Sequence, residues 1–307
     1  MSILVIGSVA FDSLETPFGK AERVIGGSGT YISWSASYFH QPILLQSIVG
    51  EDFPTTEIVA LQNRGVVTSG LEIIEGKKSF FWAGRYNENM NSRDTLITEL
   101  NVLADFDPQL PEEYTQSEYI MLGNLTPQIQ LSVLNQLTRK PKLVVLDTMN
   151  FWMDIDMDGL KEVIRKVDVL TLNDEEARQL SGEFSLVKAA AVIHGMGPKY
   201  LIIKKGEHGA LLFSGGHIFF APALPLAQVF DPTGAGDTFA GGFIGYLAKT
   251  GDHSFENMKR AVIYGSAMAS FCVEDFSIDR MKSLDTEQIN DRVKDFIELV
   301  RFDNDLA

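Results

Sequence analysis

The chain has little cysteine and little positive charge, and both shortages limit what it can do. Cys272 is the only cysteine in 307 residues, so an internal disulfide is impossible, and its apolar surroundings favour a buried side chain over a reactive thiol. The 26 lysines and arginines are outnumbered by 41 aspartates and glutamates, which gives a formal net charge of −15. Because so acidic a surface releases few counterions, we expect no nucleic-acid partner and no membrane partner.

Several targeting and nucleotide-binding patterns are also missing from the sequence. No stretch approaches the roughly 20 apolar residues that span a bilayer, and the first residues lack a basic stretch before an apolar core, so we expect a soluble cytoplasmic protein. The G-x-x-x-x-G-K-[ST] phosphate loop is absent, which excludes the commoner NTPase design. No predicted strand leads into G-x-G-x-x-G, which argues against a dinucleotide-dependent dehydrogenase. The five histidines show no metal-ligand spacing.

A repeated strand pattern is present instead. Short apolar runs end at a glycine or a polar residue, and stretches of helical periodicity lie between them. The runs are residues 3–6, 143–146, 169–172 and 201–203. Strands that alternate with helices predict an α/β fold with three layers, α/β/α, and a mostly parallel central sheet. Ligands bind beyond the carboxyl ends of such strands, so Asp147, Asn173 and Lys204 are candidates for one crevice, although polar residues at strand ends are also ordinary turn residues.

Two regions interrupt this alternation and predict a small β-sheet lid on a single domain that comprises all 307 residues. Parts of residues 8–40 contain paired glycines, and parts of residues 71–100 alternate aromatic and polar side chains before a polar loop. That loop either presents Arg85, Asn91 or Arg93 to a substrate or is an ordinary solvated connection.

The most informative segment is Asp231-Pro232-Thr233-Gly234-Ala235-Gly236-Asp237. Apolar side chains follow it at helical spacing, so the glycine turn is predicted to lie at a helix N-terminus. The exposed N–H groups of Gly234, Ala235 and Gly236, aligned with the helix dipole, would bind an anion. Their small size would let a phosphate approach the backbone closely.

Asp237 stands at the edge of this predicted anion site, where its charge would repel a phosphate. A carboxylate is useful at such a place as the base that takes a proton from an attacking hydroxyl. Alternatively, Asp237 only caps the helix, because Asp is a preferred N-cap residue. Capping alone does not explain the glycines within the helix, each of which costs about 1 kcal/mol relative to alanine, so the sequence favours an anion site.

This segment resembles the D-T/P-x-G-A-G-D signature of the ribokinase-like, or PfkB, family of carbohydrate and nucleoside kinases. Further motifs of that family occur along the chain in the same order as in the family, which makes coincidence improbable. They are a strand followed by Gly7 and Asp12, the pair Gly26 and Gly27, Gly50-Glu51-Asp52, Asn173-Asp174-Glu175-Glu176 and Lys204-Lys205-Gly206-Glu207-His208-Gly209. The resemblance implies a ribokinase-like fold and the transfer of a phosphoryl group from ATP, with Mg²⁺, to an alcohol group.

The resemblance also implies a role for each matched residue. Asp237 would be the general base, and Gly234, Ala235 and Gly236 would form the anion hole. The acceptor side would contain Asp12, Gly26, Gly27 and Tyr31, to which the polar lid adds Arg85. The nucleotide side would contain Asn173, Glu176, Lys204, Gly206, Gly209, Asp231 and Thr233. Glu176 would act near Mg²⁺ through water, and Asp231 and Thr233 would position phosphates, the metal or a monovalent cation such as K⁺.

The identity of the substrate does not follow from the motifs. Tyr31 stands where many members of the family have an asparagine that contributes to sugar binding. We expect a small sugar with a hydroxymethyl group, uncharged because the protein is acidic, with a nucleoside as the alternative. A non-catalytic sensor of a sugar or nucleotide fits poorly, because all the residues of the phosphoryl-transfer motifs remain. In several members the lids pair between subunits, so a homodimer formed through the lid is also expected.

Overall fold

The computed structural model of the protein describes residues 1–90 and 92–303. Its strands are β1 (Ile3–Ile6), β2 (Ala10–Thr16), β3 (Gly19–Gly26), β4 (Ile43–Gly50), β5 (Val66–Ile74), β6 (Phe80–Tyr86), β7 (Arg93–Glu99), β8 (Tyr119–Leu122), β9 (Leu143–Asp147), β10 (Val169–Asn173), β11 (Tyr200–Lys204), β12 (Ala210–Ser214) and β13 (His217–Ala221). Its helices are α1 (Ser28–Ala36), α2 (Thr55–Asn63), α3 (Pro127–Gln136), α4 (Asn150–Ile155), α5 (Met157–Ile164), α6 (Asp174–Ser181), α7 (Leu186–His194), α8 (Ala235–Thr250), α9 (Phe255–Cys272), α10 (Asp279–Lys282) and α11 (Thr286–Val300). Among these described helices, none combines the length and the apolar character needed to cross a bilayer.

Within the described residues, nine strands form the main sheet in the order β13-β12-β11-β10-β9-β8-β1-β4-β5. The strands from β11 to β5 in this order pair in parallel, and β12 and β13 extend one edge as antiparallel strands. The central strands β1, β4 and β8 are buried along their whole length. Burial on both faces explains why these segments are continuous apolar runs rather than alternating patterns.

Helices cover both faces of the main sheet, because successive side chains of a strand point to opposite faces. In β1, Ile3 and Val5 contribute to a core shared with α1, α8 and α9. Leu4 and Ile6 contribute to a second core, shared with α3, α5, α6 and α7. The structure therefore confirms the predicted α/β/α architecture with its mostly parallel central sheet.

A second, smaller sheet has four described strands in the order β3-β2-β6-β7, all from the two regions predicted to form a lid. β2 and β6 pair in parallel at its centre, and β3 and β7 pair antiparallel with them on the outside. The remainder of those regions includes α1 and the end of β5 in the main sheet. Every residue of β7 is exposed, so one edge of the smaller sheet is open to solvent. Asn91, a substrate candidate from the sequence, lies outside the described residues.

The carboxyl ends of β9, β10 and β11 bring together the three polar residues predicted to share a crevice. Thr171 of β10 is in register with Asp147, and Asn173 is in register with Lys204. Register across parallel strands therefore places these side chains at the same edge of the sheet, where ligands bind in open α/β folds.

Candidate active site

The segment 231–237 forms a tight turn that leads directly into α8. Gly234 is the N-cap residue of α8 and has a φ of +74°, in the left-handed region that favours glycine. A side chain at Gly234 would overlap the ring of Tyr31, which packs directly against the turn. The N–H of Thr238 closes the first turn by donating to the Gly234 carbonyl at 2.7 Å. Since helix geometry leaves the first N–H groups without an intrahelical acceptor, this turn is suited to bind an anion.

Asp231 holds the beginning of this turn in place. Its carboxylate accepts hydrogen bonds from the backbone N–H of Thr233 at 2.8 Å and of Ser277 at 3.2 Å. Burial raises the pKa of Asp231, and these hydrogen bonds only partly oppose the shift. Because both carboxylate oxygens accept backbone N–H groups, Asp231 connects the turn to the segment that follows α9 and maintains its shape.

Asp237 is the third residue of α8 and lies beside the turn. Burial, followed by the charge of Asp147, raises the pKa of Asp237 to about 7, against the lowering effects of Lys204 and Arg93. A carboxylate with a pKa near 7 is matched to accept a proton at neutral pH. The N-cap position of α8 is held by Gly234, so helix capping does not account for an aspartate at position 237.

Lys204, the last residue of β11, points at the same turn. Its Nζ lies 2.8 Å from Oδ1 of Asp147, and the Thr171 hydroxyl donates to that oxygen at 2.6 Å. The Nζ is also 3.1 Å from the place that a Cβ on Gly236 would occupy. Burial acts to lower the pKa of Lys204, but the carboxylates of Asp147 and Glu176 outweigh it, so the pKa is raised. Lys204 therefore keeps a positive charge beside the predicted anion site.

Asn173 and Glu176 form a capping box at the start of α6. The N–H of Glu176 donates to Oδ1 of Asn173 at 2.8 Å, and the N–H of Asn173 donates to Oε2 of Glu176 at 2.7 Å. Burial raises the pKa of Glu176 to about 7, and Lys204 opposes the shift. The second oxygen of Glu176 is not used by the capping box. The described residues contain no group of three or more His, Cys, Asp or Glu side chains that could hold a metal ion. Carboxylate and amide oxygens such as those of Glu176 and Asn173 are the type of donor that suits Mg²⁺, which keeps several of its water ligands.

The paired glycines allow the backbone to pass close to Asp12 of the small sheet. A Cβ on Gly26 would overlap the Asp12 carboxylate, and a Cβ on Gly27, whose φ is +90°, would overlap the carbonyl of Ser8. Position 27 therefore requires glycine for steric reasons, and a side chain at Gly26 would displace the Asp12 carboxylate.

Asp12 lies in the same electrostatic environment as the turn before α8. Burial, followed by the charges of Asp231 and Asp237, raises the pKa of Asp12 to about 8, and Arg93 partly opposes the shift. Asp12 is only 5% exposed. The buried carboxyl group of Asp12 thus lies within electrostatic range of the carboxylate of Asp237, as expected for one site between the two sheets.

The remaining predicted residues lie in different settings. Tyr31 is 1% exposed, and its buried hydroxyl has no hydrogen-bond partner among residues 1–90 and 92–303. Gly206 and Gly209 belong to the turn after β11, where a Cβ on Gly209 would overlap the Ala221 carbonyl. This close approach of two backbone segments explains Gly209, and Gly206 has a φ of +52°, in the left-handed region that favours glycine.

Arg85 is not brought to this group of residues. Its guanidinium pairs with Glu15 at 2.6 Å, and its side chain is exposed. Tyr86, the next residue, is buried on the opposite face of β6, and its hydroxyl accepts a hydrogen bond from the Thr233 hydroxyl at 3.0 Å. The placement of Arg85 therefore does not support its predicted contact with a substrate. The sequence analysis did not identify Tyr86 as a site residue. The signal that could have found it is the alternation along β6, which puts Tyr86 and Arg85 on opposite faces of the strand.

The chain belongs to the pfkB family of carbohydrate kinases, whose family model matches residues 3–282. The protein is thus a kinase that transfers a phosphoryl group to an alcohol, and its relatives act on sugars or nucleosides.

Individual relatives agree with this assignment. A cytidine kinase of Thermococcus kodakarensis is 32% identical over 250 residues, which cover 80% of this chain and 87% of that enzyme. A ribokinase of Haemophilus influenzae is 25% identical over 297 residues, which cover 89% of this chain and 92% of that enzyme. The structure of a proposed ribokinase II of E. coli in complex with ATP and Mg²⁺ has a TM-score of 0.76 at 19% identity, covering 97% of this chain and 99% of that chain. This similarity confirms the ribokinase-like fold.

Proposed function

We propose that the protein transfers the γ-phosphoryl group of ATP to a hydroxymethyl group of a small sugar, with Asp237 as the general base. The observation that carries this proposal is the position of Asp237: a carboxylate whose pKa is raised to about 7, in the first turn of α8, next to the Lys204 ammonium. A base, a cation and the first N–H groups of a helix at one place are what phosphoryl transfer to an alcohol requires, although the Ala235 N–H already donates to the Pro232 carbonyl at 3.2 Å.

In the proposed reaction, the acceptor oxygen forms a bond to the γ-phosphorus as the bond to the bridging oxygen of ADP breaks. The proton of the acceptor hydroxyl passes to the Asp237 carboxylate. The N–H groups of Gly234, Ala235 and Gly236 and the Lys204 ammonium would face the phosphoryl oxygens. Asn173, Glu176 and Thr233 would hold the nucleotide with hydrated Mg²⁺, which neutralises phosphate charge when bound.

The acceptor would lie between Asp12 and Asp237. Two classes of acceptor are candidates, a sugar and a nucleoside. Asp12 would accept a hydrogen bond from a sugar hydroxyl, and the acidic surroundings favour an uncharged acceptor. A nucleoside is the second candidate, because the Thermococcus kodakarensis relative, at 32% identity over 80% of this chain, is a cytidine kinase.

Turnover of a panel of acceptors with ATP and Mg²⁺ tests this proposal. The panel contains pentoses, hexoses, sugar phosphates, and purine and pyrimidine nucleosides, and ADP release and phosphorylated product are both measured. We expect uncharged sugars or nucleosides to be phosphorylated. Turnover of sugar phosphates alone would contradict an uncharged acceptor, and binding of a sugar without any turnover would identify a sensor instead.

We further propose that the protein forms a homodimer through the small sheet. We also propose that a monovalent cation binds near Asp231 and Thr233. β7 is exposed throughout and carries Leu96 and Ile97 at 46% and 48% exposure, so pairing would cover apolar surface. Light scattering that finds only monomer at assay concentration would contradict the dimer, and equal rates with K⁺ and with a bulky organic cation would contradict the ion.

A further inference from the structure

A hydrogen bond joins the small sheet to the glycine turn that precedes α8. The hydroxyl of Thr233 donates a hydrogen bond to the hydroxyl of Tyr86 at 3.0 Å, and Tyr86 is only 7% exposed. Tyr86 ends β6, and its antiparallel partner in register is Arg93, the first residue of β7. Directly opposed residues of an antiparallel pair share one face of the sheet. Arg93 therefore lies on the face that Tyr86 turns toward Thr233.

A second contact holds Arg93 above the acceptor side of the site. Its guanidinium carbon lies 5.5 Å from the centre of the Trp82 ring. Trp82 is in register with Asp12 of β2. Within the described part of the chain Arg93 is in no ion pair, whereas Arg85 on the opposite face is paired with Glu15. The Arg93 charge is therefore available to a ligand between the two sheets.

The excess of negative charge at the site means that a bound phosphate needs a further cation, which Arg93 can supply. Five carboxylates interact electrostatically with one another or with Lys204 at this site, and they belong to Asp12, Asp147, Glu176, Asp231 and Asp237. The ammonium of Lys204 is already paired with Asp147 at 2.8 Å. Bringing further negative charge into a partly buried site without a compensating cation is costly.

Arg93 acts on three of these carboxylates at once. After the effects of burial, of Asp231 and Asp237 on Asp12, and of Asp147 on Asp237, the Arg93 charge lowers the pKa of both Asp12 and Asp237. It also lowers the pKa of Glu176, whose first cause of shift is burial. The guanidinium charge therefore acts on the acceptor side, the base and the nucleotide side from one position on the lid.

We propose that Tyr86 and Arg93 are a lid-borne part of the phosphoryl-transfer site: Tyr86 fastens β6 to Thr233, and Arg93, positioned opposite Tyr86, pairs with the transferring phosphoryl group. This inference rests on the proposed function, because it assigns a cation to that reaction. Tyr86 is a positioning residue in this arrangement, and Arg93 is the group that contacts the phosphoryl oxygens. A planar guanidinium suits this contact because it donates two parallel hydrogen bonds to phosphate oxygens.

The test compares Arg93→Gln, Tyr86→Phe and the double variant with the wild type. Arg93→Gln is expected to lower kcat/KM for ATP by about tenfold or more, and Tyr86→Phe, which keeps the ring, by about three- to tenfold. Because Tyr86 acts through Arg93, the double variant should be about as active as Arg93→Gln alone. Lys20→Gln is the control, since Lys20 is an exposed lid cation paired with Glu15 and its loss changes the net charge equally. Additive losses in the double variant would overturn the coupling between Tyr86 and Arg93.

A pH profile separates this role from a merely structural one. The charged groups that act on Asp237 are Asp147 on β9, Lys204 on β11 and Arg93 on β7, and Asp12 on β2 interacts with it as well. Arg93 lowers the pKa of Asp237, so its removal should raise that pKa and shift the acid limb of kcat/KM to higher pH. Lys20→Gln should leave the limb in place. An unshifted limb in Arg93→Gln, with an unchanged melting temperature, would overturn the inference.

Binding of the Mg²⁺ complex of ATP, measured by calorimetry without an acceptor, gives a readout that does not depend on the acceptor. Arg93→Gln is expected to weaken this binding by about fivefold or more relative to Lys20→Gln. Equal affinities would overturn the role of Arg93 even if Asp237→Asn abolished turnover, in which case the proposed function would still stand. Loss of ATP binding in Arg93→Gln, in a protein that phosphorylates no acceptor, would leave the phosphate contact supported and contradict the reaction.

Discussion

Replacing Asp237 by Asn is expected to lower kcat by about 10²–10⁴-fold, because the variant has no carboxylate to accept the proton of the acceptor hydroxyl. The change keeps the size and shape of the side chain. It also leaves the helix intact, since Gly234 and not Asp237 occupies the N-cap position of α8. The KM for ATP should change much less than kcat, because the N–H groups of the turn and Lys204 remain in place.

The matched control is Asp158→Asn, the same substitution in the first turn of α5 at an exposed position away from the site. Both variants are compared with the wild type by steady-state kinetics and thermal melting. The control should retain normal turnover. A stable Asp237→Asn protein with more than about a tenth of the wild-type kcat would contradict general-base catalysis by this residue.

The pH dependence of the wild type belongs to the same prediction. Asp237 must be ionised to accept a proton, and burial together with Asp147 raises its pKa to about 7. The rate should therefore rise with pH through about 7 and level off above it. This rising limb should be missing from the residual activity of Asp237→Asn. Activity that stays constant from pH 5 to pH 8 would contradict the raised pKa of the base.

The main sheet could be predicted from the sequence because its signals are local. Each apolar run ends at a residue that the structure places at the carboxyl end of a strand, as at Asp147, Asn173 and Lys204. Runs of this type have one low-energy arrangement, buried between two helical layers. The glycine turn before α8 could also be predicted from the sequence. Gly234 has a left-handed φ, which glycine adopts more easily than other residues, so a glycine at this position indicates a turn.

The contacts between the two sheets could not be predicted, because no local pattern encodes them. The hydrogen bond between Tyr86 and Thr233 joins residues 147 positions apart. The choice between Arg85 and Arg93 depends on which face of β6 and β7 turns toward α8, and a shift of one residue in register reverses it. The sequence therefore left both arginines as candidates for a substrate contact. In the structure Arg85 is paired with Glu15, whereas Arg93 lies in register with Tyr86.

The ion pair of Lys204 with Asp147 also lies beyond local sequence reasoning, and it supports the second large expected effect. Lys204→Met is expected to lower kcat/KM for ATP by about 10²–10³-fold, because the cation beside Gly236 is lost from the place where phosphate charge would develop. The same change leaves the buried Asp147 carboxylate without its partner. Removing one member of a buried ion pair usually lowers the unfolding free energy by about 3–5 kcal/mol. We expect the lower value, about 3 kcal/mol, because Thr171 still donates a hydrogen bond to Asp147.

The double variant Asp147→Asn/Lys204→Met separates stability from catalysis. The substituted asparagine side chain would carry no charge and would still accept the Thr171 hydrogen bond, so most of the lost unfolding free energy should return. The rate should remain low, because the cation is still missing. Lys205→Met, a change of the neighbouring lysine, serves as the control and should affect neither quantity strongly. The measurements are denaturant unfolding and steady-state kinetics. Recovery of both stability and kcat/KM in the double variant would show that Lys204 only neutralises Asp147, and would contradict its proposed contact with the nucleotide.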